Sequence, residues 1–329
     1  MKNQMKVGSA TVFFAAVFFV TPIQAARELG SVRFISTDSL CANGVSDCWS
    51  VEVTCPSIAP ATARLKIRNS TVTPKGTAIF TEGGPGNTFW GNQGVPAKNA
   101  LIELTNNGFN TVEVAWTNSW WSDTSASLNG TFDGYPTVAC RPATIAKYIR
   151  DTFNGEDPGL AFCASGNSGG STQVAYMLSH YDLETILDLA VPTSGPPVSQ
   201  IETGCYQTPG YESMWYSSGT ALTIDQIFRV SKNGPCVAKD ITYQELYRNA
   251  SVSIGGDYLY PNTHVHFVFG ATDATSAVGQ GLFHFDTLFQ VGQLLLGQEF
   301  IAGAGHQVHR SEAGANAIRD KFISECRKH

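Results

Sequence analysis

The segment AFCASGNSGGSTQVAYML, residues 161 to 178, crowds small residues around Ser168 between an apolar run and a helix-like pattern. Gly166, Ser168 and Gly170 fit G-x-S-x-G, in which small neighbours let the chain reverse sharply and hold a serine hydroxyl at the apex. That hydroxyl is a weak nucleophile until a base takes its proton, and the base needs an acid to fix its tautomer and stabilise its charged form. Asp273, in FVFGATDATS just past an apolar run, is the candidate acid, and His306, in the Gly-rich AGAGHQVHR, is the candidate base. His309 is an alternative base nearer the start of the last helix, while Asp286 falls inside a helical pattern and ranks below Asp273. The chemistry these residue types imply is acyl transfer to serine.

Acyl transfer also needs donors for the developing oxyanion. The Gly169 amide would head the helix after Ser168, where free N–H groups favour negative charge. Gly84 or a neighbour in TEGGPGNTFW is the candidate second donor: its glycines permit close backbone approach and Pro85 stiffens the turn. Phe89 and Trp90 follow on this loop, and Trp116, Trp120 and Trp121 cluster on the loop after the next main strand. Trp90, Trp120 and Trp121 are the candidates for an apolar substrate pocket, with Trp215 and Tyr216 further along.

GGPG at 83–86, GNSGG at 166–170, Asp273 after a strand and GAGH at 303–306, in the order serine, acid, histidine, together resemble the α/β-hydrolase superfamily of serine hydrolases over residues 76–329. The resemblance implies an acyl-enzyme on Ser168, hydrolysed by water that the histidine activates, with no cofactor and no metal. Many relatives carry His before the Gly-Gly-Pro-Gly loop; here Glu82 stands there, so that residue's local role does not transfer. Relatives with an Asp nucleophile are disfavoured by Ser168. The loop also occurs in α/β-hydrolase aminopeptidases, which usually place Trp after the serine, where this chain has Gly169. A hydrolase of small-molecule or polymeric carboxylic esters with hydrophobic or aromatic acyl groups is therefore expected first, ahead of an exopeptidase or a non-catalytic binding protein on the same fold.

These residues need a scaffold, and the pattern supplies one. Residues 48–55 and 63–69 alternate in the manner of strands wet on one face, at the antiparallel start of a sheet. Residues 76–84, 110–116, 159–166, 186–195 and 264–273 are more continuously apolar, as buried parallel strands should be, and 299–303 is the last short strand. Helices are expected at 137–153, 171–181 and 311–326. The fold class is α/β: a mostly parallel eight-stranded sheet flanked by helices, with a cap inserted at about 200–260.

Composition narrows the setting. The 329 residues are 43% hydrophobic and 15% charged, with net charge -6 and no basic run, which argues against nucleic-acid binding. Lys2, Lys6, the apolar stretch 10–20 and small residues at Ala25 and Ala26 have the layout of a signal peptide over 1–26, leaving one main domain at 27–329. The apolar stretch is too short for a membrane anchor, so a secreted or periplasmic protein is expected. Eight cysteines suit disulfides. Cys41, Cys48 and Cys55 are close enough for a local bridge, Cys205 with Cys236 could clip the insertion, and Cys163 reads as packed in its strand. His264 and His266 share a strand face but lack evident carboxylate partners, so they read as ordinary strand residues. Sequons at Asn69, Asn129 and Asn249 are as many as chance supplies.

Overall fold

The computed structural model describes residues 26–38, 41, 47–122, 133–155, 157, 159–230 and 233–328. The expected signal peptide, apart from Ala26, and the sequon at Asn129 lie outside these residues. Nine strands form one sheet: β1 Ser31–Thr37, β2 Asp47–Cys55, β3 Ile58–Arg68, β4 Gly76–Thr81, β5 Phe109–Trp116, β6 Ala161–Asn167, β7 Leu189–Thr193, β8 His264–Gly270 and β9 Leu296–Ile301. Their order is β1-β2-β3-β5-β4-β6-β7-β8-β9. The first three and the β3–β5 pairing are antiparallel; from β5 to β9 every pairing is parallel. All eight anticipated strands occur, and β1 adds a ninth at the edge. Six of its seven residues are exposed, so it carries no alternation of apolar and polar residues by which sequence could mark it.

Among the described residues the α-helices are α1 Val95–Asn106, α2 Tyr135–Val138, α3 Cys140–Phe153, α4 Gly169–Ser179, α5 Ile201–Tyr206, α6 Ser218–Ile227, α7 Pro235–Ala238, α8 Gln244–Asn249, α9 Ser276–Gln290 and α10 Glu312–Glu325. Leu101 and Leu104 of α1 pack with Ile318 and Phe322 of α10 on one sheet face. Ile145 and Ile149 of α3, Val174 and Leu178 of α4, and Leu288 of α9 pack on the other. With both faces covered, β4, β6 and β7 are buried along their whole length, which is why their sequences run apolar without alternating. Helices α5 to α8 fill the excursion between β7 and β8, and their Ile201, Ile224, Ile227 and Tyr247 join the core of the second face.

Four disulfides cross-link the chain: Cys41–Cys48, Cys55–Cys140, Cys163–Cys326 and Cys205–Cys236. The first is the local bridge expected, and the last joins α5 to α7 within the excursion. Cys163 is not merely packed: it faces the end of α10 across the sheet, where Cys326 lies 6.0 Å away between Cα atoms. His264 and His266 also depart from expectation in having carboxylates nearby. His266 Nε2 lies 3.1 Å from Glu299 and His264 Nδ1 lies 3.6 Å from Glu325, neighbours that only the tertiary fold brings to them.

Candidate active site

Strand β6 ends at Asn167 and α4 begins at Gly169, so one residue makes the turn. That residue, Ser168, has φ 52°, a left-handed conformation that costs a non-glycine residue energy and persists only where its surroundings enforce it. The Ser168 amide donates to Thr193 O at 2.9 Å and its carbonyl accepts from Thr172 N at 3.1 Å, which ties the turn to β7 on one side and to α4 on the other. The glycines that follow answer to close approach. A Cβ on Gly169 would meet Gly84 O at 2.6 Å and Gly84 N at 2.9 Å, and one on Gly170 would meet Thr81 O at 2.6 Å. The Ser168 turn and the Gly-Gly-Pro-Gly loop thus touch backbone to backbone.

Asp273 sits three residues beyond β8. Its Oδ1 accepts from Thr275 N at 2.9 Å and its Oδ2 lies 2.8 Å from His306 Nδ1. Thr275 Oγ1 also reaches His306 Nδ1, at 3.1 Å. Burial pushes the Asp273 carboxyl up, but the hydrogen bonds from His306 and Thr275 outweigh it and hold the group below its ordinary value, ionised. Thr272 donates through both its amide, at 3.0 Å, and its hydroxyl, at 2.9 Å, to Ala304 O, fastening the acid's loop to the histidine's loop. An imidazole whose Nδ1 donates to a carboxylate keeps an Nε2 lone pair free to take a proton.

Ser168, Gly169, Gly84 and His306 line one cavity of about 370 Å³. Trp121, Tyr135, Pro197, Val198, Ile224 and Ala277 give it apolar surface, while Thr172, Ser217, Thr220, Thr223, Thr275 and Ser276 bring hydroxyls. Burial pushes the Tyr135 phenol well above its usual range, so it remains protonated and able to donate. Among the described residues lining the cavity there is no Asp, Glu, Lys or Arg.

No family model matches the chain, and no curated protein matches it by sequence. Solved structures do resemble it. The acylaminoacyl peptidase of Pyrococcus horikoshii aligns with TM-score 0.53 and 12% identity, covering 92% of this chain and 42% of that one. Acetyl xylan esterase 1 from Thermoanaerobacterium sp. aligns with TM-score 0.52 and 13% identity over 89% of this chain and 87% of the other. A thermostable carboxyl esterase from Bacillus coagulans gives 0.50 and 13% over 89% and 97%. The chain has the α/β-hydrolase fold.

Within that fold several side chains lie elsewhere than the sequence suggested. Trp90 does not line the cavity: it is 1% exposed, stacks on His309 and packs at a tilt against Phe80, each with ring centres 4.9 Å away. Trp120 is fully buried behind the glycine loop, where its backbone N–H donates to Pro85 O at 3.1 Å and its indole to Gly84 O at 3.3 Å. It braces the loop rather than contacting a ligand. Of the three candidate tryptophans only Trp121 faces the cavity. Trp116 is buried and donates to Gln173 Oε1 at 3.3 Å, and Phe89 packs with Cys41 and Cys48. Trp215 and Tyr216 bond to backbone within the excursion, at Thr208 O and Pro197 O. Asp286 is exposed on α9. Sequence reasoning missed Tyr135, Thr172 and the α6 hydroxyls; Thr172, four residues after Ser168 on α4, was the one with a local signal.

His309 is not at the cavity. It is completely buried, and its Nε2 lies 3.1 Å from Oε2 of Glu82, itself only 4% exposed. The acid that stands before the glycine loop is therefore faced by a histidine from the other side of the site. Glu82 heads the loop carrying Gly84, and His309 follows His306 by three residues.

Proposed function

We propose that this chain is an exported serine hydrolase of carboxylic esters. Ser168 is the nucleophile, His306 the base that takes its proton, and Asp273 the acid that orients His306 and stabilises its imidazolium. The amides of Gly84 and Gly169 stabilise the tetrahedral oxyanion, Gly169 from the head of α4, where first-turn N–H groups have no helical acceptor. The observation that carries the reading is one cavity lined by a serine in a left-handed turn and by a histidine held 2.8 Å from a buried carboxylate. Attack of Ser168 Oγ on the ester carbonyl forms the acyl-enzyme and expels the alcohol, protonated by His306. Water, deprotonated by the same histidine, then releases the acid.

The lining supports the ester class over an exopeptidase, because a substrate ammonium needs a carboxylate and the described lining has none. Trp121 with its apolar neighbours suits a hydrophobic or aromatic group, while Tyr135 and the threonines suit an oxygen-bearing one. Four disulfides support export, since such bonds persist in oxidising compartments. A fluorophosphonate probe should label the wild type at Ser168 and leave Ser168→Ala and His306→Ala unlabelled. Folded wild type that resists the probe would refute the serine mechanism, and turnover of aminoacyl p-nitroanilides without turnover of p-nitrophenyl esters would refute the substrate class.

A further inference from the structure

A second cavity, of about 260 Å³, lies where the glycine loop runs on into Asn87, Thr88 and Phe89. Its floor carries two cations. Arg64 and Lys66 are two residues apart on β3 and so point to the same face of the sheet. Both heads lie against one aromatic ring, Arg64 Cζ 5.3 Å and Lys66 Nζ 5.5 Å from the centre of Phe89. Lys66 is only 4% exposed, yet among the described residues its ammonium has a single hydrogen-bond acceptor, Asn92 Oδ1 at 3.5 Å. Arg64 makes no ion pair among the described residues.

The carboxylate that acts on Lys66 is already engaged. Glu113, fully buried on β5, accepts from Arg68 Nη1 at 2.5 Å and from Gly91 N at 2.5 Å. Burial pulls the Lys66 ammonium below its ordinary value; Glu113 opposes this, and Arg68 and Lys98 reinforce it. A buried ammonium with unused donors is costly unless a negative group completes its shell. The walls add donors suited to that group: the Asn87 amide, and the Thr88 hydroxyl, which accepts from Gln93 Nε2 at 2.8 Å and keeps its own hydrogen to give. In a chain of net charge -6, this excess of positive charge in a walled cavity is a local construction.

We propose that this cavity binds an oxyanion group, a carboxylate, sulfate or phosphate, between Lys66 and Arg64. Arginine suits the planar face of such a group and lysine supplies a point charge. The site adjoins the catalytic cavity: Gly84 lines one and Asn87 the other, three residues and at most about 11 Å of Cα path apart. An anion held on Asn87 and Thr88 would therefore order the segment that carries Gly84. The group arrives either as a free anion or as a substituent of the substrate.

Binding is tested without reference to catalysis, by calorimetric titration of sodium sulfate into the full chain at constant ionic strength, with sodium chloride as control. Saturable sulfate binding is expected, weakened at least tenfold in Arg64→Gln and in Lys66→Met. Both variants should keep the wild-type circular dichroism, Arg64 being only half-buried and Met matching the length of the lysine stem. Absence of saturable binding in the wild type, or equal binding by both folded variants, would overturn the proposal. A kinetic arm, which alone rests on the esterase reading, separates the two sources. If sulfate raises KM for the mono-p-nitrophenyl ester of adipate and not for p-nitrophenyl hexanoate, the anion belongs to the substrate; an equal effect on both identifies a free effector. A chain with no esterase activity would sink the function proposed above and leave the binding result standing.

Discussion

The buried pair of Glu82 and His309 offers the sharpest test of how the site is held together. The two side chains are 4% and 0% exposed, and Oε2 lies 3.1 Å from Nε2. Neither reaches solvent, and since the two atoms are close without hydrogen-bond geometry, what joins them is electrostatic proximity, which deleting one partner removes from a buried polar group. Breaking such a pair costs about 3–5 kcal/mol, whereas replacing both partners by apolar groups of similar volume is close to neutral. His309→Phe keeps the stack on Trp90, now 4.9 Å between ring centres, and removes only the polar partner. We therefore expect His309→Phe to lower the unfolding free energy by about 3 kcal/mol, and Glu82→Leu to do the same. The double variant should lose far less than the sum, about 1–2 kcal/mol. Equilibrium urea unfolding measures this, with an unchanged m-value showing that the denatured state is not the cause. Activity follows from geometry. The pair links the loop of Gly84 to the turn after His306, and displacement of a reacting group by an ångström costs about a hundredfold. His309→Phe should thus reduce kcat by tenfold or more with KM little changed. Additive losses, or a single variant that costs under about 1 kcal/mol and turns over normally, would refute the coupling.

Of the two tryptophans with opposite placements, Trp121→Ala should raise KM for aryl esters and leave Tm nearly unchanged. Trp90→Ala should instead cost about 3–5 kcal/mol in stability, as a large side chain lost from a core does. His180 and His284 are both held down to about 3 by burial. The unfolded chain, titrating near 6.5, therefore binds more protons than the native one between those values, so stability is fully present above about pH 6.5 and falls as pH drops. At pH 4.5 each costs about 2–3 kcal/mol, and Gln at either position should flatten the fall of Tm between pH 7 and 4.5. The Cys163–Cys326 bridge closes a separation of 163 residues, for which chain entropy gives about 5 kcal/mol; Cys163→Ala with Cys326→Ala should lower the urea midpoint more than opening Cys41–Cys48, seven residues apart.

What could be read in the chain and what could not divide along a physical line. The tight turn at Ser168 was legible because its constraint is local: at Gly169 and Gly170 a Cβ would strike Gly84 and Thr81, so small residues crowd into a few consecutive positions. Asp273 was legible because it follows an apolar run that must be a strand, and His306 because it stands in a Gly-rich turn before the last helix; strands of one parallel sheet deliver their ends to the same edge. Everything missed depends on which way a side chain turns once that edge exists. Trp120 and Trp121 are neighbours in sequence, yet one braces the glycine loop from behind and the other faces the cavity. Cys163 and Cys326, or Glu82 and His309, meet only because α10 and the turn before it fold back under the sheet's central strands. One non-local partner did leave a trace. Glu82 stands at the head of the glycine loop, and a buried acid there calls for a polar neighbour somewhere in the chain. His309, weighed as the alternative base, is the residue that sets a ring nitrogen 3.1 Å from that acid. A histidine that fails one role three residues from the base is thus a reason to look for the acid it answers.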